Sequence, residues 1–284
     1  MLCYNRTKGG GGMSRRPTEA RSIRAAGARR KAGADPDFMT SLARGLTVIR
    51  AFTGASPQLT IAEVAKISGL PRAAARRCLH TLERLGYVGS DGRRFSLRPR
   101  ILSLGYAFLS STPLSDTLQP VLERVSEKVH ESCSAAVLDD DEIVYIARAA
   151  TRRIMSVTLN VGSRLPAYCT SMGRALLSQL PRAELDAFLA RVRLKPFTER
   201  TLTSREGLRR VLGQVRDKGY ALVDQELEIG LRSIAVPVRG ANGAVMAAMN
   251  VSTQAARVSR REMESRFLPV LQQGASEVWQ LFVR

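Results

Sequence analysis

The chain has 284 residues, 44% of them hydrophobic, and carries 44 Lys and Arg against 25 Asp and Glu, a net charge of +19. That length can bury one or two real cores, and so basic a balance selects anionic partners: nucleic acid or an acidic membrane surface. No uninterrupted apolar run approaches the roughly 20 residues of a membrane span. The arginine-bearing N-terminus lacks the apolar stretch of a secretory signal. The four cysteines, Cys3, Cys78, Cys133 and Cys169, are scattered without CxxC spacing. They suit a reduced cytoplasm better than a disulfide framework or a zinc site. Two histidines, His80 and His130, leave little material for a metal centre or His-based catalysis.

The basic excess is concentrated early. Residues 1–37 hold nine basic and three acidic residues, residues 38–98 hold ten and three, and residues 99–284 hold twenty-five and nineteen. The first segment reads as a disordered basic tail, because "KGGGG" (Lys8–Gly12) and the run from Arg21 to Asp37 offer almost no large side chain to bury. It is either inert or a basic arm that attracts phosphates without sequence preference; Met13 and Met39 are alternative starts.

Ordered structure is expected from about Ser41. "SLARGLTVIRAF" places Leu42, Leu46, Ile49 and Phe52 at helical spacing, with Val48 beside them. After a break at "GASPQ", Thr60 stands three before Glu63, the capping-box signature of a helix start. Ile61, Val64 and Ala65 share one face of that helix. Gly69 suits its C-terminal exit, where positive φ is needed, and Pro71 suits the first turn of the next. In that next helix Ala75, Cys78, Leu79, Leu82 and Leu85 form an apolar stripe. Arg72, Arg76, His80 and Arg84 step by four along the opposite ridge, with Ala73 and Arg77 alongside. A solvated helix normally mixes acids among its bases; here Glu83 stands alone near the far end. Two helices across a tight glycine turn, the second basic in its N-terminal half, match a helix-turn-helix reader. Arginine forks fit guanine edges and phosphates, and alanines permit close approach to a groove. "YVGSDGRRFSL" then reads as a hairpin with a type I′ turn at Asp91-Gly92, a wing that brings Arg93 and Arg94 to its tip. Residues 38–98 are thus expected to form a winged helix-turn-helix, with Thr60, Arg72, Ala73, Arg76, Arg77, His80, Arg93 and Arg94 as its DNA-binding residues.

Residues 99–113 are expected to form a linker helix ending at Pro113, either a plain connector or a dimerising lever. From residue 114 to 284 an amphipathic helix from Leu118 is followed by strands at 134–139, 142–149, 155–162, 220–224, 232–239 and 243–253. Helices are expected at 171–180, 204–219 and 259–281. This is an α+β pattern, an antiparallel sheet with helices packed on it. The acid cluster Asp139–Glu142 lies in a hairpin turn, where solvation is the commoner role. Neither a G-x-S-x-G element nor a phosphate-binding glycine loop occurs, and the "GGGG" run precedes no strand–helix junction. No catalytic constellation, metal or cofactor is expected.

Three widely separated stretches carry a family resemblance: "SLARGLTVIRAF…LTIAEVAKISGLPRAAARRCLHTLERLGYV", "VGSRLPAYCTSMGRALL" and "GYALVDQELEIGLRSIAVPVRGANGAVMAAMNVS". In this order the chain from about Ser41 onward resembles the IclR family of transcriptional regulators, and most closely its PcaR/PcaU/PobR branch. That branch governs breakdown of aromatic acids through the β-ketoadipate route. The resemblance implies a GAF-like effector-binding second domain, a homodimer or homotetramer on a palindromic double-stranded operator, and a small carboxylate held inside that domain. The family's ligand positions fall on Ile154, Leu165, Ser171, Met172, Asp224 or its neighbour Val223, Ser233, Asn250 and Ser252. Asn250 and Ser252, two apart on a strand, point to one side, and a helix start at Ser171–Gly173 offers N–H groups to a carboxylate. Met172 replaces a small residue and Asn250 a serine of some relatives, which disfavours a glyoxylate-sized ligand. Arg148, Arg152, Arg153 and Arg164 are all near enough in sequence to pair with the carboxylate. Two other classes stay in view: an enzyme acting on a small acid, and a nonspecific architectural DNA binder.

Overall fold

A computed structural model describes residues 37–111, 114–150 and 159–283, without the side chains of 107–111. The basic tail, Ile154, Arg152, Arg153 and the first half of the strand expected at 155–162 lie outside the described residues. The chain divides into two compact units between Ile101 and Leu102, inside the stretch read as linker.

In the first unit α1 (Thr40–Arg50), α2 (Ile61–Ser68) and α3 (Arg72–Arg84) surround a small core, and β1 (Gln58–Leu59), β3 (Phe95–Leu97) and β2 (Val88–Ser90) form a three-stranded antiparallel sheet in that order. Val48, Leu59, Val64, Ala75, Leu79 and Val88 fill the core. The phase of α1 differs from expectation. Val48, Ala51 and Phe52 point inward, whereas Leu42 and Leu46 are 59% and 48% exposed. The helix thus carries two apolar ridges, of which the Leu42–Leu46 ridge faces outward. Leu85 also leaves the expected stripe: the helix ends at Arg84, Gly86 N–H bonds to Glu83 O and Tyr87 N–H to Leu82 O, and this reversal turns Leu85 outward.

The second unit begins with α4 (Leu102–Ser111) and α5 (Leu114–Val129). β4 (Ser132–Asp139), β5 (Glu142–Ala149) and β6 (Arg164–Pro166) precede α6 (Ser171–Leu177), α7 (Arg182–Arg191) and α8 (Arg205–Lys218). β7 (Ala221–Asp224), β8 (Leu231–Arg239) and β9 (Val245–Gln254) follow. The chain then enters α9 (Arg260–Glu262), which runs through a π-helical turn (Met263–Phe267) into α10 (Leu268–Val283). The six strands form one antiparallel sheet, β6-β5-β4-β9-β8-β7. Strand alternation supplies two apolar faces. Ile234, Val236, Val238, Met249 and Val251 meet α5 and α10. Ala136, Tyr145, Ala235 and Ala248 meet the side of α6, α7 and α8. The sequence reading missed α7 and β6, and merged α9, the π-turn and α10 into one regular helix.

Candidate functional site

The basic helix α3 begins badly for stability and well for anion binding. Pro71 at its N-cap gives no side-chain hydrogen bond, and its first turn holds no acid but does hold Arg72. The positive end of a helix favours acids, so a cation there is misplaced unless an anion arrives. Arg72, Ala73, Arg76, Arg77 and His80 are all exposed. Arg76 and His80 line a groove closed on its other side by Ser90, Gly92 and Phe95, so helix and wing present one continuous surface, with Glu83 at its edge. The wing departs from the two-residue turn expected. Ser90 pairs with Phe95, leaving four loop residues, and Gly92 alone among them has positive φ. Asp91 closes the loop with its carboxylate, which accepts the N–H groups of Arg93 and Arg94 at 2.9 and 2.7 Å. These bonds hold that carboxyl below the usual range. Arg93 stays at the tip, while Arg94 folds back to donate to Gln58 O at 3.3 Å.

Thr60 caps α2, as its spacing to Glu63 predicts. Its hydroxyl accepts from Glu63 N–H and donates to the Glu63 carboxylate, which also accepts Thr60 N–H at 2.7 Å. Both hydrogen-bonding functions of the hydroxyl are therefore engaged in the cap.

The second site lies on the sheet face beneath α6. Cross-strand partners share a face, and the register places Arg148, Ser134 and Asn250 in one row across β5, β4 and β9. Ser132, Ser252, Ser233 and Val223 form the next row from β4 to β7. Both rows line a cavity, whose other walls are Leu165, Cys169, Thr170, Ser171 and Met172 on one side and Glu226, Leu227 and Leu231 on another. α6 packs tightly on the 3-10 turn Ala167–Cys169 that precedes it because residue 173 is glycine: a Cβ there would stand 2.1 Å from Ala167 O.

A bulge turns Arg148 toward the cavity. Ala135 pairs with Ala147 but Ala136 with Tyr145, so Ile146 is the extra residue and turns into the α5 side with Ala147. Tyr145 and Arg148, three apart and so expected on opposite faces, both line the cavity. Gln119 of α5 completes the irregular edge: its amide accepts from Arg148 N–H and donates to Arg148 O, both at 3.2 Å. Arg164 is engaged elsewhere, with Asp139 and Glu142 at 2.7 Å each. These pairs, and Arg191 with Asp141 at 2.7 Å, engage three of the four acids of that hairpin.

Asn250 is 4% exposed and its Nδ2 donates to Ser252 Oγ at 2.9 Å, while its Oδ1 has no partner among the described residues. Turning the amide over and letting Ser252 donate would leave an N–H unsatisfied instead. In either orientation one buried polar atom of Asn250 is left for a ligand. Leu165, Ser171, Met172, Ser233, Asn250 and Ser252 all line the cavity as expected positions; Asp224 does not, and Val223 takes its place. The Asp224 carboxylate is held by Arg232 at 2.9 Å; burial pulls its pKa upward, but the Arg232 contact outweighs this and keeps it low. The N–H cradle expected at α6 is narrower than supposed, since Thr170 Oγ1 already accepts Gly173 N–H at 3.2 Å and the helix is seven residues long. Burial pushes the Tyr145 phenol and the Cys169 thiol up to about 12 each, so both stay neutral near pH 7. Arg148 and Glu226 are the cavity's charged groups among the described residues. Sequence reasoning named Arg148 as one of four candidate arginines but found neither Gln119 nor Glu226, because a bracket from another helix and a loop closure placed them.

Fold and sites together define a class: a winged helix-turn-helix DNA reader joined to a small-molecule-sensing α+β domain, hence a ligand-responsive transcriptional regulator. The chain belongs to the IclR family: residues 41–92 match the IclR helix-turn-helix domain and residues 106–279 match the bacterial transcriptional regulator IclR C-terminal domain. It is 57% identical to the Pca regulon regulatory protein of Pseudomonas putida over 238 residues, 84% of this chain and 82% of that protein. A crystal structure of a transcriptional regulator from Rhodococcus sp. RHA1 is 48% identical, covering 86% of this chain and 98% of that one, with a TM-score of 0.76. The inducer-binding domain of the PobR transcription factor from Acinetobacter, solved as a double mutant with 3-hydroxybenzoic acid, is 33% identical. It covers 59% of this chain and 98% of its own, with a TM-score of 0.56. These relatives are transcriptional regulators, not enzymes. No described helix is long and apolar enough to cross a membrane.

Proposed function

We propose that the protein acts in the cytoplasm and controls genes for aromatic-acid breakdown through the β-ketoadipate route, in response to a small carboxylate taken into the second unit. The observation that carries the reading is the buried polar face of the sheet: Arg148 faces the cavity and Asn250 keeps one polar atom unsatisfied there. A buried unpaired amide atom costs about 1–3 kcal/mol, so a ligand that completes it gains that much. Arg148 takes the carboxylate, Asn250 with Ser252 and Ser233 reads a polar substituent, and Leu165, Met172 and Val223 enclose the hydrocarbon. Ile154 and Ser171 complete the set of effector positions. On DNA, α3 enters the major groove of a palindromic operator. Arg72, Ala73, Arg76, Arg77 and His80 face bases and phosphates, and Arg93 and Arg94 follow the flanking backbone. The outward apolar ridge of α1, Leu42 and Leu46 with Met39 at 65% exposure, supports assembly as a homodimer or homotetramer.

Calorimetric titration of the full-length protein with protocatechuate, 4-hydroxybenzoate and β-ketoadipate tests the effector half. At least one acid should bind, and Arg148→Gln should weaken it on the order of tenfold or more, as loss of a charge-assisted bond predicts. Unchanged affinity in Arg148→Gln would remove that residue from the site.

A further inference from the structure

A buried ion pair joins two walls of the effector cavity, with Glu226 at the lining and Arg174 behind it. Arg174 on α6 is 3% exposed and its side chain forks onto Glu226, Nη1 to Oε1 and Nη2 to Oε2 at 2.6 Å each. Its Nε donates to Tyr168 O at 2.8 Å, and Leu202 N–H donates to Glu226 Oε2 at 3.0 Å. The residues beside Arg174, from Cys169 to Met172, line one wall of the cavity; Glu226, Leu227 and Leu231 line another. The loop carrying that second wall is also closed on itself. Gln225 sits at φ 62°, its N–H bonds to Leu231 O at 2.8 Å, and its side chain accepts Gly230 N–H at 3.1 Å. Thr198 and Thr201 hydroxyls hold the carbonyls of Gln225 and Glu226 at 2.8 and 2.6 Å. Loop shape and attachment to the 198–201 segment have hydrogen bonds that do not involve Arg174; beside the apolar packing of Leu227, the fork is the polar link from the loop to α6.

We infer that Arg174 and Glu226 are a positioning pair: their ion pair sets the separation of two cavity walls, and effector affinity depends on it while operator affinity of the effector-free protein does not. Arg174 is not itself an effector receptor, because its Nε and both terminal nitrogens are committed and it does not line the cavity. A buried ion pair is a poor source of stability, since well-packed apolar replacements are often neutral. Its value lies in geometry, where a loosened supporting shell degrades binding before it degrades folding. This inference rests on the cavity being the effector site.

The test is the double substitution Arg174→Met with Glu226→Leu, which removes the pair without leaving a buried charge, together with Arg174→Lys, which keeps the charge and loses the fork. Three readouts are taken on full-length protein: calorimetric affinity for protocatechuate, 4-hydroxybenzoate and β-ketoadipate, affinity for the DNA upstream of its own gene without acid, and the melting midpoint. Acid affinity should fall on the order of tenfold or more in both variants, with DNA affinity and melting close to wild type. Wild-type acid affinity in either folded variant overturns the inference. So does an Arg174→Lys protein whose acid affinity falls only as its melting and DNA affinity fall, since the role is then structural. If the double variant does not fold, Arg174→Lys decides alone by the same readouts. Failure of the wild-type protein to bind any of the acids is visible without a variant and would sink the cavity assignment, and this inference with it.

Discussion

At the scale of single residues, the chain separates side chains that hold the fold from those left over for ligands. Gly173 is the sharpest structural case. Adding one methyl would drive it into the backbone carbonyl of Ala167, which cannot give way as a side-chain end can. Gly173→Ala should destabilise the second unit by about 1–3 kcal/mol or more, as overpacking does, and calorimetric melting would show it; an unchanged midpoint would mean that α6 and the Ala167–Cys169 turn can separate freely. The cysteines give a chemical check. Cys133 and Cys169 are buried, with thiols raised to about 12 by desolvation, whereas Cys78 is half-buried. Alkylation by iodoacetamide at pH 8, followed by peptide mapping, should modify Cys78 well before the other two; fast labelling of Cys169 would show the cavity open to reagent. The effector residues illustrate what sequence can deliver. Asn250 and Ser252 came from the family resemblance, and strand parity, which sends both one way, agrees with it. Arg148 could be named only as one of four arginines, because the bulge at Ile146 reverses the strand parity that would have placed it. Asp224 and Val223 differ by one position on a strand, and only the register, with Arg232 on the Asp224 side, decides between them.

At the scale of elements, the winged helix-turn-helix was the most legible part of the chain, since its signals are local. Thr60 and Glu63 sit within one turn, and Gly69 ends α2 with φ 68°. Replacing Thr60 by Ala should cost about 0.5–2 kcal/mol of first-unit stability, the usual effect of losing a cap. The Thr60 N–H and hydroxyl bonds hold the Glu63 carboxyl below its ordinary value. A depressed folded pKa contributes stability at pH above the unfolded value, about 4.3, and that contribution is lost as pH falls through the folded pKa. The melting difference between wild type and Glu63→Gln should therefore be greatest near neutrality and close in acid; a gap independent of pH would show that the cap does not rest on the charge. What misled the reading of this unit was amphipathic ambiguity. α1 has two apolar ridges, and spacing alone cannot say which one the core accepts. In the second unit short elements were lost for a related reason: β6 has three residues and α7 little amphipathic contrast, so neither rises above the pattern around it.

At the scale of the whole molecule, the charge of +19 and the array of α3 explain attraction to DNA, but attraction is not regulation. Salt-dependent phosphate binding would follow from charge alone. Sequence reading needs side chains that prefer particular base edges, and Arg76→Ala should then cost about 1–3 kcal/mol on the operator and less on random duplex. Equal losses on both would make Arg76 a phosphate contact. Regulation needs more again, an effector with different affinities for DNA-competent and DNA-incompetent forms, and its effect is bounded by that difference. The exposed α1 ridge bears on assembly: Leu42→Lys with Leu46→Lys should lower the mass measured by light scattering if copies meet there, and an unchanged mass would place the contact elsewhere. The most direct test of the account is fluorescence anisotropy of the full-length protein on the DNA upstream of its own gene and on random duplex. Both are titrated at one fixed salt concentration, with and without protocatechuate, 4-hydroxybenzoate and β-ketoadipate. The account predicts a clear preference for the upstream DNA that at least one acid changes. Equal affinity for both duplexes, unmoved by any acid, would contradict it.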